Sequence, residues 1–113
     1  MQPNYVYRAA FRSAYDADTI RLDVDAGFGI VLTNQPFRLM GINAPEMRGP
    51  EREAGKRARD FLREYVKGKA LTVQTFKSSN KGKYGRWLAV LYADDVNVNQ
   101  LLVREGHATP FMV

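Results

Sequence analysis

The chain has 113 residues, 45% of them apolar and 26% charged, a formal net charge of +5 and no cysteine. This composition fits one folded domain spanning residues 1–113 with a modest core; it excludes disulfides and thiolate metal sites, and a single histidine argues against zinc. No apolar run approaches the roughly 20 residues of a membrane span, and the positive balance favours a polyanionic partner, nucleic acid first.

Met1 to Arg8 lacks the apolar stretch of a signal peptide. That fits a cytoplasmic protein, or a secreted one whose signal has been removed. The first half then reads as strands. Tyr5 to Ala14 is rich in aromatic and small apolar residues. Thr19 to Val24 alternates, with Ile20, Leu22 and Val24 on one face and Arg21 and Asp23 on the other. Gly27 and Gly29 mark a turn. Ile30 to Met40 forms a third strand with Phe37 and Leu39 on one side and Arg38 on the other. Pro36 suggests an edge or bulge just before Arg38. After Pro50 the period changes: Ala54, Ala58, Phe61, Leu62, Tyr65 and Val66 repeat at helical spacing, with Pro50 at the start and Gly68 as the C-terminal cap. The opposite face carries Arg52, Lys56, Arg57, Arg59, Arg63 and Lys67, a solvated face or a track for a nucleic-acid backbone. Leu71 to Phe76 and Trp87 to Tyr92 read as paired strands joined by the polar stretch Lys77 to Arg86. Asp94 and Asp95 make a turn, and Val98, Leu101 and Leu102 begin a second helix that Gly106 ends. Five short strands with a helix between the third and fourth match an α+β, mainly β architecture: a five-stranded Greek-key barrel of the OB type with two helices, a fold that commonly binds nucleic acids on one face.

Three groups of residues carry candidate chemistry. Asp16 and Asp18, two apart on a strand, point to the same side, and two like charges held together call for a cation. Calcium accepts such oxygen ligands in a loose geometry, amides and backbone carbonyls included. The alternative is a turn in which both acids cap backbone groups. Asn43-Ala44-Pro45-Glu46 is a stiff turn that suits an ion site, or one whose Asn43 makes its own backbone bonds. Arg38 and Arg86 are able to bind phosphate oxygens bidentately and lower the barrier to phosphoryl transfer; a plain surface role is the alternative for each.

Taken together, Tyr15-Asp16-Ala17-Asp18-Thr19, Phe37-Arg38-Leu39-Met40-Gly41-Ile42-Asn43-Ala44-Pro45-Glu46, the run from Lys83-Tyr84-Gly85-Arg86-Trp87 to Asp94, and the block ending at Arg104-Glu105-Gly106 stand in an order and spacing that resemble the staphylococcal nuclease (thermonuclease) family. The resemblance runs from Ala14 to about Ala108. It implies a calcium-dependent phosphodiesterase, an endonuclease or exonuclease acting on DNA and RNA and leaving 3′-phosphate ends. By the same resemblance Asp18 is the direct calcium ligand, Asn43 stands where the family usually has a second ligating aspartate, the Ala44 carbonyl is a further ligand and Asp16 supports them. Glu46 corresponds to the residue that orients or activates water, Arg38 and Arg86 to the phosphate clamp, and Lys83 and Tyr84 to groups holding the substrate's terminal phosphate.

Three departures from the family pattern set expectations. The neutral Asn43 predicts weak calcium binding, since affinity falls with ligand charge. The loop after Glu46 is short, which opens access to the site. The family's further C-terminal helix has no counterpart before Val113; Phe111 and Met112 are nearest to the base-stacking tyrosines of relatives, and a missing packing element favours self-association. His107 reads as a helix-end residue and Trp87 as core. Rival readings are a non-catalytic nucleic-acid-binding domain with a weakened metal site, and a protein-interaction module on the same fold.

Overall fold

Strand alternation builds the barrel. The structure, a computed structural model, describes residues 5–76 and 87–111. Strand β1 (Val6–Asp16) pairs antiparallel with β2 (Thr19–Gly27), and β2 with β3 (Ile30–Leu39). Along β2, Ile20, Leu22 and Val24 are buried while Arg21 and Asp23 face outward, as a period of two requires. The end of β3 does the same with Phe37 and Leu39 inward and Arg38 between them. The short β4 (Ile42–Asn43) follows, then a 3-10 turn at Gly49–Glu51 and helix α1 (Arg52–Val66). The helix thus begins two residues after Pro50, because a 3-10 turn comes first.

Strand β5 (Leu71–Phe76) pairs with β1 and with β6 (Trp87–Ala93) over its whole length, both antiparallel. Closure comes from a parallel pairing of β3 with β6, Phe37 opposite Trp87 and Leu39 opposite Ala89. Five strands (β1, β2, β3, β5 and β6) therefore form a closed barrel of the OB type, and two helices pack on it. Asp94 and Asp95, both with positive φ, turn the chain into β7 (Val96–Asn97) and α2 (Val98–Arg104), where the Asn97 side chain accepts from the Gln100 N–H as the N-cap. The last element, β8 (Thr109–Pro110), pairs with β4.

The core is one cluster of Ile20, Leu22, Leu39, Leu62, Val73, Leu91, Val98 and Leu102, all fully buried. Helix α1 contributes Gly55, Ala58, Leu62 and Val66, one apolar stripe at helical spacing. Phe61 and Tyr65 are only partly buried; Phe61 stacks on His107 at 4.5 Å between ring centroids, so the lone histidine covers a helix flank. Trp87 packs partly buried against the core. Asn99 is the buried polar residue of α2: its Oδ1 accepts from Leu91 N–H at 3.1 Å and its Nδ2 donates to the carbonyls of Met40 and Ala89. It ties α2 to β6 and to the turn that leads into β4. Among the described residues no helix is long and apolar enough to cross a membrane.

Candidate active site

Asp16 and Asp18 are not on one strand. Asp16 ends β1, and Asp18 sits with the buried Ala17 in the turn that leads into β2. The tight hairpin, rather than strand alternation, brings the two acids together. Asp18 is 6% exposed, an unusual burial for a carboxylate, and its oxygens are satisfied. Its Oδ2 accepts from the Ala44 N–H at 2.8 Å and lies 3.3 Å from Arg38 Nη1; its Oδ1 accepts from the Thr19 hydroxyl at 3.2 Å. Asp18 is thus at once a residue capping a turn's backbone and a charge paired with an arginine.

Asp16 has one unsatisfied oxygen, although its carboxyl also has hydrogen-bond contacts with Asp18 and Thr19. Its Oδ1 is buried with no hydrogen-bond partner. Burial first, and then the negative charge of Asp18, push its carboxyl up to about 6. An orphaned carboxylate oxygen beside a second carboxylate is chemistry that a hard cation would relieve. Among the described residues no cluster of three or more His, Cys, Asp or Glu side chains surrounds this point. Any cation held here would take Asp18 as its charged donor, with Asp16 in support and neutral oxygens of the Asn43–Ala44 segment completing the set.

Arg38 is held from several sides. Nη1 donates to the Leu39 carbonyl at 2.8 Å, Nη2 lies 3.4 Å from Asn43 Oδ1, and the guanidinium sits over the Phe111 ring at 5.9 Å. Asn43 belongs to β4 rather than to a free turn; its carbonyl accepts from the Thr109 hydroxyl, and its exposed side chain points at Arg38. Ala44 is buried because its N–H is the donor to Asp18.

Glu46 stands apart from the acids. It is exposed, its carboxylate lies 3.7 Å from Arg48 Nε, and its N–H donates to Glu51 Oε1 at 3.0 Å. The 3-10 turn before α1 therefore holds the Glu46 backbone while the side chain stays free to rotate, since an exposed ion pair of this length contributes little. Behind the segment lies Gly55 of α1: a Cβ there would collide with the Glu46 carbonyl and approach the Pro45 carbonyl at 3.1 Å. Asp16, Asp18, Arg38, Asn43, Ala44 and Glu46 line one open cavity of about 700 Å³, shared with Tyr15, Arg21 and Arg48. Arg86, Lys83 and Tyr84 lie outside the described residues, as does the rest of the stretch from Lys77.

Sequence reasoning included Thr19 in the Asp16–Thr19 block without assigning it a contact, and missed Glu51, Gly55 and Thr109. Only Gly55 left a signal: a glycine inside an otherwise good helical stripe indicates close packing.

A family model described as staphylococcal nuclease homologue matches residues 36–113, more than half of the chain. The match takes in Arg38, Asn43 and Glu46 and begins after Asp16 and Asp18. A protein of Escherichia coli described as an uncharacterized endonuclease is 40% identical over 73 residues, covering 64% of this chain and 44% of its own length. A thermonuclease of Staphylococcus hyicus is 29% identical over 96 residues, 82% of this chain and 53% of its own length. An uncharacterized protein of Bacillus anthracis is 30% identical over 95 residues, 81% of this chain and 42% of its own length. The chain spans about half the length of these relatives.

Proposed function

The chain belongs to the staphylococcal nuclease homologue family, and on that premise we propose that it is a calcium-dependent nuclease hydrolysing phosphodiester bonds of DNA and RNA to leave 3′-phosphates. The observation that carries this reading is Arg38, fixed 3.3 Å from the buried Asp18 on the wall of an open cavity. A guanidinium anchored by a neighbouring carboxylate and a backbone carbonyl is already oriented, so little ordering is lost when it receives a phosphate oxygen.

Asp18, Asn43 and the Ala44 carbonyl would hold calcium, with Asp16 in support; the orphaned Asp16 Oδ1 is what favours a cation at this point. Bound calcium would neutralise charge on the phosphate and hold a water near phosphorus. Arg38 binds an equatorial phosphate oxygen and stabilises the charge that builds there in the transition state. Glu46, rotating from its weak contact with Arg48, accepts a proton from the attacking water or orients it. Arg86 is assigned the second half of the clamp, and Lys83 and Tyr84 the terminal phosphate.

A second reading has one observation in its favour. Asn43 supplies no charge and Glu46 faces Arg48, so among the described residues two carboxylates, Asp16 and Asp18, meet at the cation point. A nucleic-acid-binding domain without catalysis would tolerate that. End-labelled single-stranded DNA and RNA incubated with millimolar calcium, and in parallel with chelator, separate the two. The nuclease reading predicts calcium-dependent fragments that a polymerase cannot extend until their 3′-phosphates are removed. Binding without cleavage at millimolar calcium contradicts it.

A further inference from the structure

We infer that Tyr15 is a stacking platform for a nucleobase of a single-stranded nucleic acid, set beside the phosphate site. The inference rests on the nucleic-acid reading of that site and adds a subsite to it. Between β1 and β2 the register is Ala14 opposite Ile20 and Asp16 opposite Thr19, so two steps on β1 face one step on β2. Tyr15 is the extra residue of this β-bulge, a feature that re-aims side chains and gathers next to active sites. The bulge turns the tyrosine outward: it is 65% exposed, while Ala14 before it is buried and Asp16 after it is half-buried.

Among the described residues Tyr15 has no ring contact, and its hydroxyl has no hydrogen-bond partner. Phe61, Tyr65, Phe111 and His107, by contrast, all stack or sit against a cation. Yet Tyr15 lines the same cavity as Asp18, Arg38 and Glu46, and Arg21 and Arg48 line it as well. An unpartnered aromatic face and guanidinium groups lining one cavity are the combination that single strands use, the cations following the backbone and the ring stacking a base. Bases inside a duplex are stacked on one another and present no free face, so the platform selects unpaired substrate. It does so without reading sequence, because every base has a π-face.

Fluorescence anisotropy in chelator, where no cleavage occurs, tests the platform with two labelled probes: a single-stranded oligonucleotide, and a strand of the same length built from abasic deoxyribose phosphates. Tyr15→Ala should weaken binding of the normal strand by about 5- to 150-fold, the range for removing a base-stacking aromatic. Tyr15→Trp should retain it, and the abasic strand should bind wild type and Tyr15→Ala equally. Unchanged affinity in Tyr15→Ala, an equal loss on the abasic strand, or no binding by the wild type would each overturn the platform. Hydrolysis of the normal strand by wild type in calcium is read separately. Its absence alongside the predicted anisotropy pattern overturns the nuclease reading and supports the platform in a binding domain.

Discussion

Asp18 owes its stability to what surrounds it. Burying a carboxylate is costly unless hydrogen bonds and an opposite charge compensate, and here the Ala44 N–H, the Thr19 hydroxyl and Arg38 all do. Removing Arg38 therefore has two expected effects: it takes away the proposed phosphate ligand and leaves Asp18 without its countercharge. Arg38→Ala should lower stability as well as activity, by several kcal/mol at most, because Asp18 keeps its two hydrogen bonds. Asn43→Asp tests the proposed calcium site. A unit charge pair at about 4 Å is worth about 1 kcal/mol even at aqueous dielectric, so calcium should bind at least about fivefold tighter. The gain is limited because Arg38 Nη2, 3.4 Å from Asn43 Oδ1, would pair with the new carboxylate. Calcium titration of both forms by calorimetry checks this, and equal affinities would contradict it. At this scale the sequence singled out Asp18, Arg38 and Asn43 through their combination in one pattern, and they do line one cavity. The Thr19 bond to Asp18, Thr109 and the outward aim of Tyr15 were not legible in it: each depends on register, and the Tyr15 bulge has no residue signature.

Two elements hold the site in place, and each turns on one residue. Helix α1 approaches the Pro45–Glu46 backbone through Gly55. Replacing it by alanine improves helix propensity by about 1 kcal/mol, but overpacking against a backbone carbonyl costs about 1–3 kcal/mol. The net result should be a less stable protein in which Glu46 is displaced, so kcat falls more than KM changes; urea unfolding and steady-state kinetics on Gly55→Ala check both parts. Helix α2 is tied down by Asn99. Asn99→Ala leaves the Leu91 N–H and the Met40 carbonyl without this partner, while the Ala89 carbonyl keeps the Met40 N–H. At about 1–3 kcal/mol for each buried group orphaned, the loss should be at least about 2 kcal/mol, seen as a lower urea midpoint with an unchanged slope. The elements themselves were readable: alternation placed the strands, and Leu71 to Phe76 falls where the sequence puts it. The helix start was misplaced because proline at a first turn fits a 3-10 turn as well as an α-helix. The pairing of Asp16 with Asp18 was correct in outcome and mistaken in cause, since a hairpin turn and a strand both place residues two apart near each other.

The barrel explains why residues far apart in sequence share one wall. The β1–β2 hairpin brings the acids, the end of β3 brings Arg38, and the β4–β8 pairing sets the segment that carries Asn43 and Glu46. None of these closures is visible in the sequence, least of all the parallel pairing of β3 with β6. The net charge of +5 acts at the same scale, drawing in polyanions from any direction. The exposed α1 arginines Arg52 and Arg57 are absent from the cavity wall, so they add to this general attraction rather than to a defined contact. Replacing both by alanine should leave the slope of log affinity against log salt for single-stranded DNA unchanged, whereas two lost phosphate contacts would reduce it by about 1.4. The most direct measurement of the central claim is the single-turnover cleavage rate of a single-stranded oligonucleotide at saturating calcium, wild type against Arg38→Ala. A loss of about 100- to 1,000-fold is predicted, the scale of removing one group that stabilises transition-state charge. Equal rates in the two proteins, or a wild-type rate no greater than that in chelator, would contradict the account.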